Sequence, residues 1–271
     1  MIRLGIITAC LALLYHSVIR GLVSDWIGLP DFSHGFLIPI VSIYFVYERR
    51  RQLSTFQPSG KWTGLLFIVL GVLLLIVGNL ATEYFTMRFS LIIVLGGIVL
   101  FLLGRDYFKA LLFPLLFLIF MIPIPSILLQ RITFPMQLFA SKVAATGLYL
   151  IGIPVLREGN IIQLANTSLE VAEACSGIRS LISLLALSVV FAYFSQKQMW
   201  KRILLVASTF PIAIIANAAR VSGTGILAHY YGDNVAQGFF HGFSGWILFV
   251  VAFVCLFLFG SLLSTIGNDK C

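Results

Sequence analysis

Long apolar runs separated by short polar clusters dominate this 271-residue chain. The runs at roughly 4–23, 36–48, 63–80, 89–104, 110–125, 177–195, 203–227 and 242–263 each predict a membrane-crossing helix. The second is short and reads as partly interfacial at its start. Segment 126–150 differs: its apolar residues fall at helical spacing, with Gln130, Arg131, Gln137, Ser141 and Lys142 between them. That pattern predicts an amphipathic helix on or partly in the membrane surface. Downstream, IPVLREGNIIQLANTSLEVAEA has short β-branched runs broken by Glu-Gly-Asn and Ala-Asn-Thr-Ser. It predicts a small β element just before Cys175, with an ordinary loop as the alternative. The expected fold class is therefore an all-α polytopic membrane protein of about eight transmembrane helices, with a small extracytoplasmic β element before the sixth. No linker or fixed-period repeat interrupts the chain, so residues 1–271 read as a single membrane-embedded domain.

Composition sharpens this reading. The chain is 60% hydrophobic and only 10% charged, against about 25% charged in an ordinary soluble domain. Its mean hydropathy is +1.03, so lipid must act as its solvent. The net charge of +8 could suit nucleic acid, but the basic residues form no stripe. They cluster between apolar runs, which is a topology signal. With the N-terminus inside, Arg3, Arg49, Arg50, Arg51, Lys61, Arg105, Lys109, Lys197, Lys201, Arg202 and Lys270 fall on the cytoplasmic side. Asp25, Asp31, Glu83, Glu158, Glu170, Glu173 and Asp233 fall outside, and Arg88, Arg131, Lys142 and Arg157 are exceptions. The orientation puts residues 126–176 on the extracytoplasmic face of the cytoplasmic membrane. Four cysteines, Cys10, Cys175, Cys255 and Cys271, match no metal or CxxC spacing. The apolar stretch before Cys10 is too short for a lipoprotein signal and continues past it, so a first membrane helix is expected there.

Three polar residues stand out in the final third: Cys175 in EACSGIRS, Arg220 in NAARVSG and His241 in FFHGFSGW. The topology brings all three, from three different spans, to the outer interface. A cysteine at a helix N-terminus gains thiolate character from the dipole. A histidine can take and return a proton, and an arginine can hold an oxyanion. Together they suffice for acyl transfer on a peptide bond, with the active-site region at about 170–245. Each has a plainer reading: a small packing residue for Cys175, an interfacial polar group for His241 and a snorkelling anchor for Arg220. An ionisable residue inside an apolar span is costly, so Arg220 is the hardest to dismiss. Arg179, four residues after Cys175, either lowers the thiol pKa or anchors the helix. His229 is a rival base, while Glu170 and Glu173 read as solvated loop acids. A non-enzymatic membrane protein, either a transporter or an assembly scaffold, is the alternative class, although no inverted repeat is apparent.

At EACSGIRSL the chain resembles the exosortase/archaeosortase family, and the resemblance extends to NAARV and HGFSGW in order and spacing. DFSHGFLIP, FMIPIP and LREGNIIQL add to it. The HGFSG-type context around the histidine is closer to bacterial exosortases than to the archaeal branch. The resemblance implies a polytopic cysteine peptidase/transpeptidase acting on exported proteins. Their C-terminal tripartite signal would combine a motif, typically Pro-Glu-Pro, with a membrane helix and a basic cluster. It implies catalytic roles for Cys175, Arg220 and His241, no metal or organic cofactor and no nucleic-acid partner, and it leaves His34 without a role. The extra soluble C-terminal domain of some exosortases is expected, if needed at all, on a separate polypeptide.

Overall fold

A computed structural model describes residues 2–164, 168–170, 178–232 and 239–266. For residues 2–4, 8, 169, 170, 178–180 and 239–244 it describes the backbone only. The described chain is mostly helical, with one small sheet, and its contacts group into two units, Met1–Pro125 and Ser126–Cys271.

The first unit holds α1 (Ile2–Leu14), α2 (His16–Gly28), a 3-10 turn (Pro30–Phe36), α3 (Leu37–Glu48), α4 (Arg50–Leu53), α5 (Thr63–Leu80), α6 (Tyr84–Leu102) and α7 (Arg105–Phe117). A second 3-10 turn follows at Leu118–Met121. Glycines explain the closest pairing. Gly64, Gly71 and Gly78 recur every seven residues along α5 and so line one face toward α6. A Cβ on Gly78 would meet Met87 Cγ at 2.8 Å, and one on Gly97 would meet Ile68 N at 2.8 Å. The side chain of Glu83 caps α6 by accepting hydrogen bonds from the backbone N–H of Phe85 (3.1 Å) and Thr86 (2.6 Å). Buried Arg88 on α6 pairs with Asp25 on α2 at 2.7 Å, and Tyr15 and Ser90 share a hydrogen bond at 3.0 Å. Arg88 stood outside the charge bias in the sequence, and the ion pair accounts for it: its charge is neutralised within the protein.

The second unit holds α8 (Ser126–Leu150), strands β1 (Val155–Glu158), β2 (Ile161–Leu164) and β3 (Ser168–Glu170), then α9 (Ile178–Ser195), α10 (Met199–Tyr231) and α11 (Phe239–Thr265). The strands form an antiparallel sheet in the order β1-β2-β3, within the segment expected to be β. Gly159, at φ 65°, opens the two-residue turn between β1 and β2. The hydroxyl of Ser141 on α8 donates to Gly159 O at 2.9 Å and ties that turn down. Ile162 and Leu164 bury one face of the sheet against Ala140, Ala144 and Leu148 of α8 and Val221 and Ala228 of α10.

The amphipathic segment is a helix, with Gln130, Arg131 and Lys142 exposed. Thr133, Gln137 and Ser141 are buried, whereas Ile127, Ile132, Phe134, Phe139 and Leu150 are exposed. The uncharged polar groups Thr133, Gln137 and Ser141 turn toward protein, and much of the exposed surface is apolar.

Among the described residues, four helices are long and apolar enough to cross a membrane: Thr63–Leu80, Tyr84–Leu102, Met199–Tyr231 and Gly245–Thr265. The number rises to six if two consecutive helix pairs each count as one broken span. Eight were expected from the sequence. The gap arises because apolar run length was the only guide. The first run is broken at Tyr15, and α3 has 12 residues, about 18 Å of rise against a core of about 30 Å. The apolar surfaces of α5 and α8 nevertheless leave no doubt that this is an integral membrane protein.

Candidate functional site

Three helices of the second unit run side by side, and their buried layers give their relative levels. One layer joins Ala192 of α9, Leu205 of α10, and Leu256 and Leu263 of α11. A second joins Leu181, Ala213 and Ala252, with Ala216 and Phe249 packed against it. From the first layer to the second, residue numbers fall along α9, rise along α10 and fall along α11. Continuing in that direction by about 5–10 Å reaches the first residue of α9, Ile178, together with Arg220 on α10 and Gly245 on α11.

The Arg220 guanidinium lies over the bare face of Gly245. A Cβ placed on Gly245 would lie 3.8 Å from the Arg220 guanidinium carbon and 3.9 Å from each terminal nitrogen. The glycine gives a fixed cation room to lie against the helix. His241 lies one turn earlier on α11, in register with Gly245; its side chain lies outside the described set, as does that of Arg179. Cys175 lies within 171–177, also outside the described residues, between the end of β3 and the start of α9. Neighbouring hydroxyls are already engaged: Ser222 donates to Ala218 O and Thr224 to Arg220 O, both at 3.0 Å.

The rival base does not join this group. His229 lies nine residues beyond Arg220, which places it on the opposite face of α10 and about 13 Å further along the axis. Its ring packs edge-on against Tyr230 at 4.9 Å. Cys10 and Cys255 are free thiols on exposed helix surfaces.

His34 belongs to the first unit. Burial holds its pKa below the usual imidazole value, against opposing hydrogen bonds with the backbone of Phe120 and Asp31. Beside it, Trp26 Nε1 donates to Met121 O at 2.8 Å, and Gly35 leaves space for the indole ring. The DFSHGF and FMIPIP segments, unrelated by spacing, therefore pack on one another. The sequence carried no signal for this, because the partners are nearly ninety positions apart.

The family model for the transmembrane exosortase (Exosortase_EpsH) matches residues 26–258, which include both of those segments and the whole α9–α11 site. The chain belongs to the transmembrane exosortase family. Searches of curated proteins and of solved structures gave no match. Within this exosortase, two residues at the candidate site were not weighed from sequence alone: Gly245, inside HGFSGW, and Asn217, inside NAARV. Glycine and asparagine carry no charge to flag them. Only their positions beside Arg220 make them notable.

Proposed function

We propose that this exosortase is a membrane-embedded cysteine peptidase/transpeptidase that cleaves the C-terminal tripartite sorting signal, of Pro-Glu-Pro type, of exported proteins. The placement of the Arg220 guanidinium over Gly245, one turn from His241 and level with the start of α9, is the observation that carries the reading. In this scheme His241 takes the Cys175 proton, and the thiolate attacks the carbonyl carbon of the scissile bond. Negative charge gathers on the carbonyl oxygen, where Arg220 donates hydrogen bonds. The tetrahedral species collapses with cleavage of the C–N bond, and His241 returns the proton to the leaving amine. A thioester remains on Cys175, and water or an amine resolves it. Arg179 supports the thiolate. The sheet ahead of the cysteine offers an edge on which an extended peptide can pair. The site opens on the extracytoplasmic side of the cytoplasmic membrane and needs neither metal nor organic cofactor.

The test is substrate maturation in cells. Cys175→Ala should abolish processing of a tripartite-tail substrate at unchanged membrane levels, whereas Cys10→Ala and Cys255→Ala should process normally. A membrane-impermeant thiol reagent added from outside should modify Cys175. Full processing by Cys175→Ala would sink the mechanism.

A further inference from the structure

Asn217 is only 6% exposed, and its side-chain oxygen, Oδ1, has no hydrogen-bond partner among the described residues. A buried amide oxygen without a donor is uncommon in a folded protein and calls for an explanation. Its position suggests one. Asn217 lies one turn before Arg220 on α10. At 100° per residue it falls between Ala213, which meets α9 and α11, and Val221, which meets α8 and the sheet. Leu181, Met136 and Ala140 belong to the apolar clusters on either side of this level. A neutral acceptor is thus held buried one turn from a fixed cation, without a hydrogen-bond partner among the described residues.

We propose that Asn217 is a substrate-positioning residue: its Oδ1 accepts a hydrogen bond from a main-chain N–H of the bound peptide while Arg220 takes a neighbouring carbonyl. A peptide main chain presents donor and acceptor alternately, so this pair matches an extended segment independently of its side chains. Arg220 then meets the scissile carbonyl because Asn217 fixes the register. The inference rests on the proposed peptidase reading and adds a residue to it. It also explains why an unsatisfied group is retained, since a functional site trades stability for binding.

Thr209 provides a matched control. It is 0% exposed on the same helix, and its hydroxyl likewise has no partner among the described residues. It lies two turns further from the site, about 12 Å along the axis. Full-length protein in detergent, carrying Cys175→Ala so that no turnover occurs, is titrated with a synthetic peptide. The peptide contains Pro-Glu-Pro, an apolar helix and a Lys/Arg cluster. Thermal melting is measured alongside. Asn217→Leu keeps the branching of the side chain and removes the orphan oxygen. It should melt at the same temperature or higher and bind the peptide about tenfold or more weakly. Thr209→Val should also melt no lower, with peptide affinity unchanged. If Asn217→Leu fails to fold, Asn217→Ala gives the same binding readout. Peptide affinity within twofold of the parent in a folded Asn217 variant overturns the inference, and does so whether or not Cys175 is the nucleophile. A parent protein that binds no tail peptide overturns the proposed function, and this inference with it.

Discussion

Gly245 offers a graded test of the arginine site without touching a charged residue. In Gly245→Ala the new Cβ would sit 3.8 Å from the guanidinium carbon, an ordinary van der Waals contact. Processing should stay within about twofold of the parent, since surface-level packing changes cost little. In Gly245→Val a methyl carbon extends about 1.5 Å further. Directed at Arg220, it would approach to about 2.5 Å, well inside the roughly 3.5 Å optimum. Valine has one strongly preferred χ1 in a helix, so relief by rotation is costly. The guanidinium must then move, and losing such a donor from an oxyanion site typically costs about 10²–10³ in rate. The assay is substrate cleavage at matched protein level, with Arg220→Lys run beside it. A lysine keeps the charge but not the planar pair of donors, and should lose a similar factor. Normal processing by Gly245→Val at normal abundance would show that the contact has no part in catalysis. Normal processing by Arg220→Lys would reduce Arg220 to an anchor.

Two further predictions concern stability in the first unit. Asp25→Asn should leave Arg88 charged and buried, destabilising the fold by about 2–4 kcal/mol; the range is set below the fully buried case because Asp25 is 32% exposed. Combining it with Arg88→Met should recover part of that loss in thermal melts, and strictly additive single effects would disprove the coupling. The Glu83 carboxyl is pulled up by burial, but hydrogen bonds from Thr86 and Phe85 and the Arg88 charge outweigh this and lower its pKa from 4.5. Its contribution is therefore present above about pH 4.5 and fades as pH falls through the lowered value. Glu83→Ala should cost about 1 kcal/mol at pH 7, and its melting temperature should converge on the parent's in acid; a constant gap would count against the charged cap.

The features legible in the sequence were those with a local signature. Arg220 announced itself as a charge in an apolar run, and Glu-Gly-Asn announced the turn now seen at Gly159. Features that depend on distant partners were hidden. Arg88 looked like a misplaced outer charge because Asp25 lies 63 positions away. The polar residues of α8 were correctly assigned to a helix, but spacing alone cannot say that Gln137 and Ser141 turn inward while Arg131 and Lys142 stay exposed. His34 and Phe120 are linked only in three dimensions. Asn217 passed unremarked because burial without a donor cannot be read from one chain.

The end of the α9–α11 bundle away from Arg220 is fastened. Gln196 donates to Gly260 O at 2.8 Å, and Arg202 donates to Gln196 O at 2.8 Å and Tyr193 O at 3.3 Å, closing the last turn of α9. Gly260 lets Phe191 press against α11 at the same level. From Gly260 to Gly245 is about 22 Å of helix. With one end clamped, α11 behaves as a lever: a tilt of about 5° at Gly260 moves Gly245 by about 2 Å over that arm. The distant clamp thereby governs how closely Gly245 lies against Arg220.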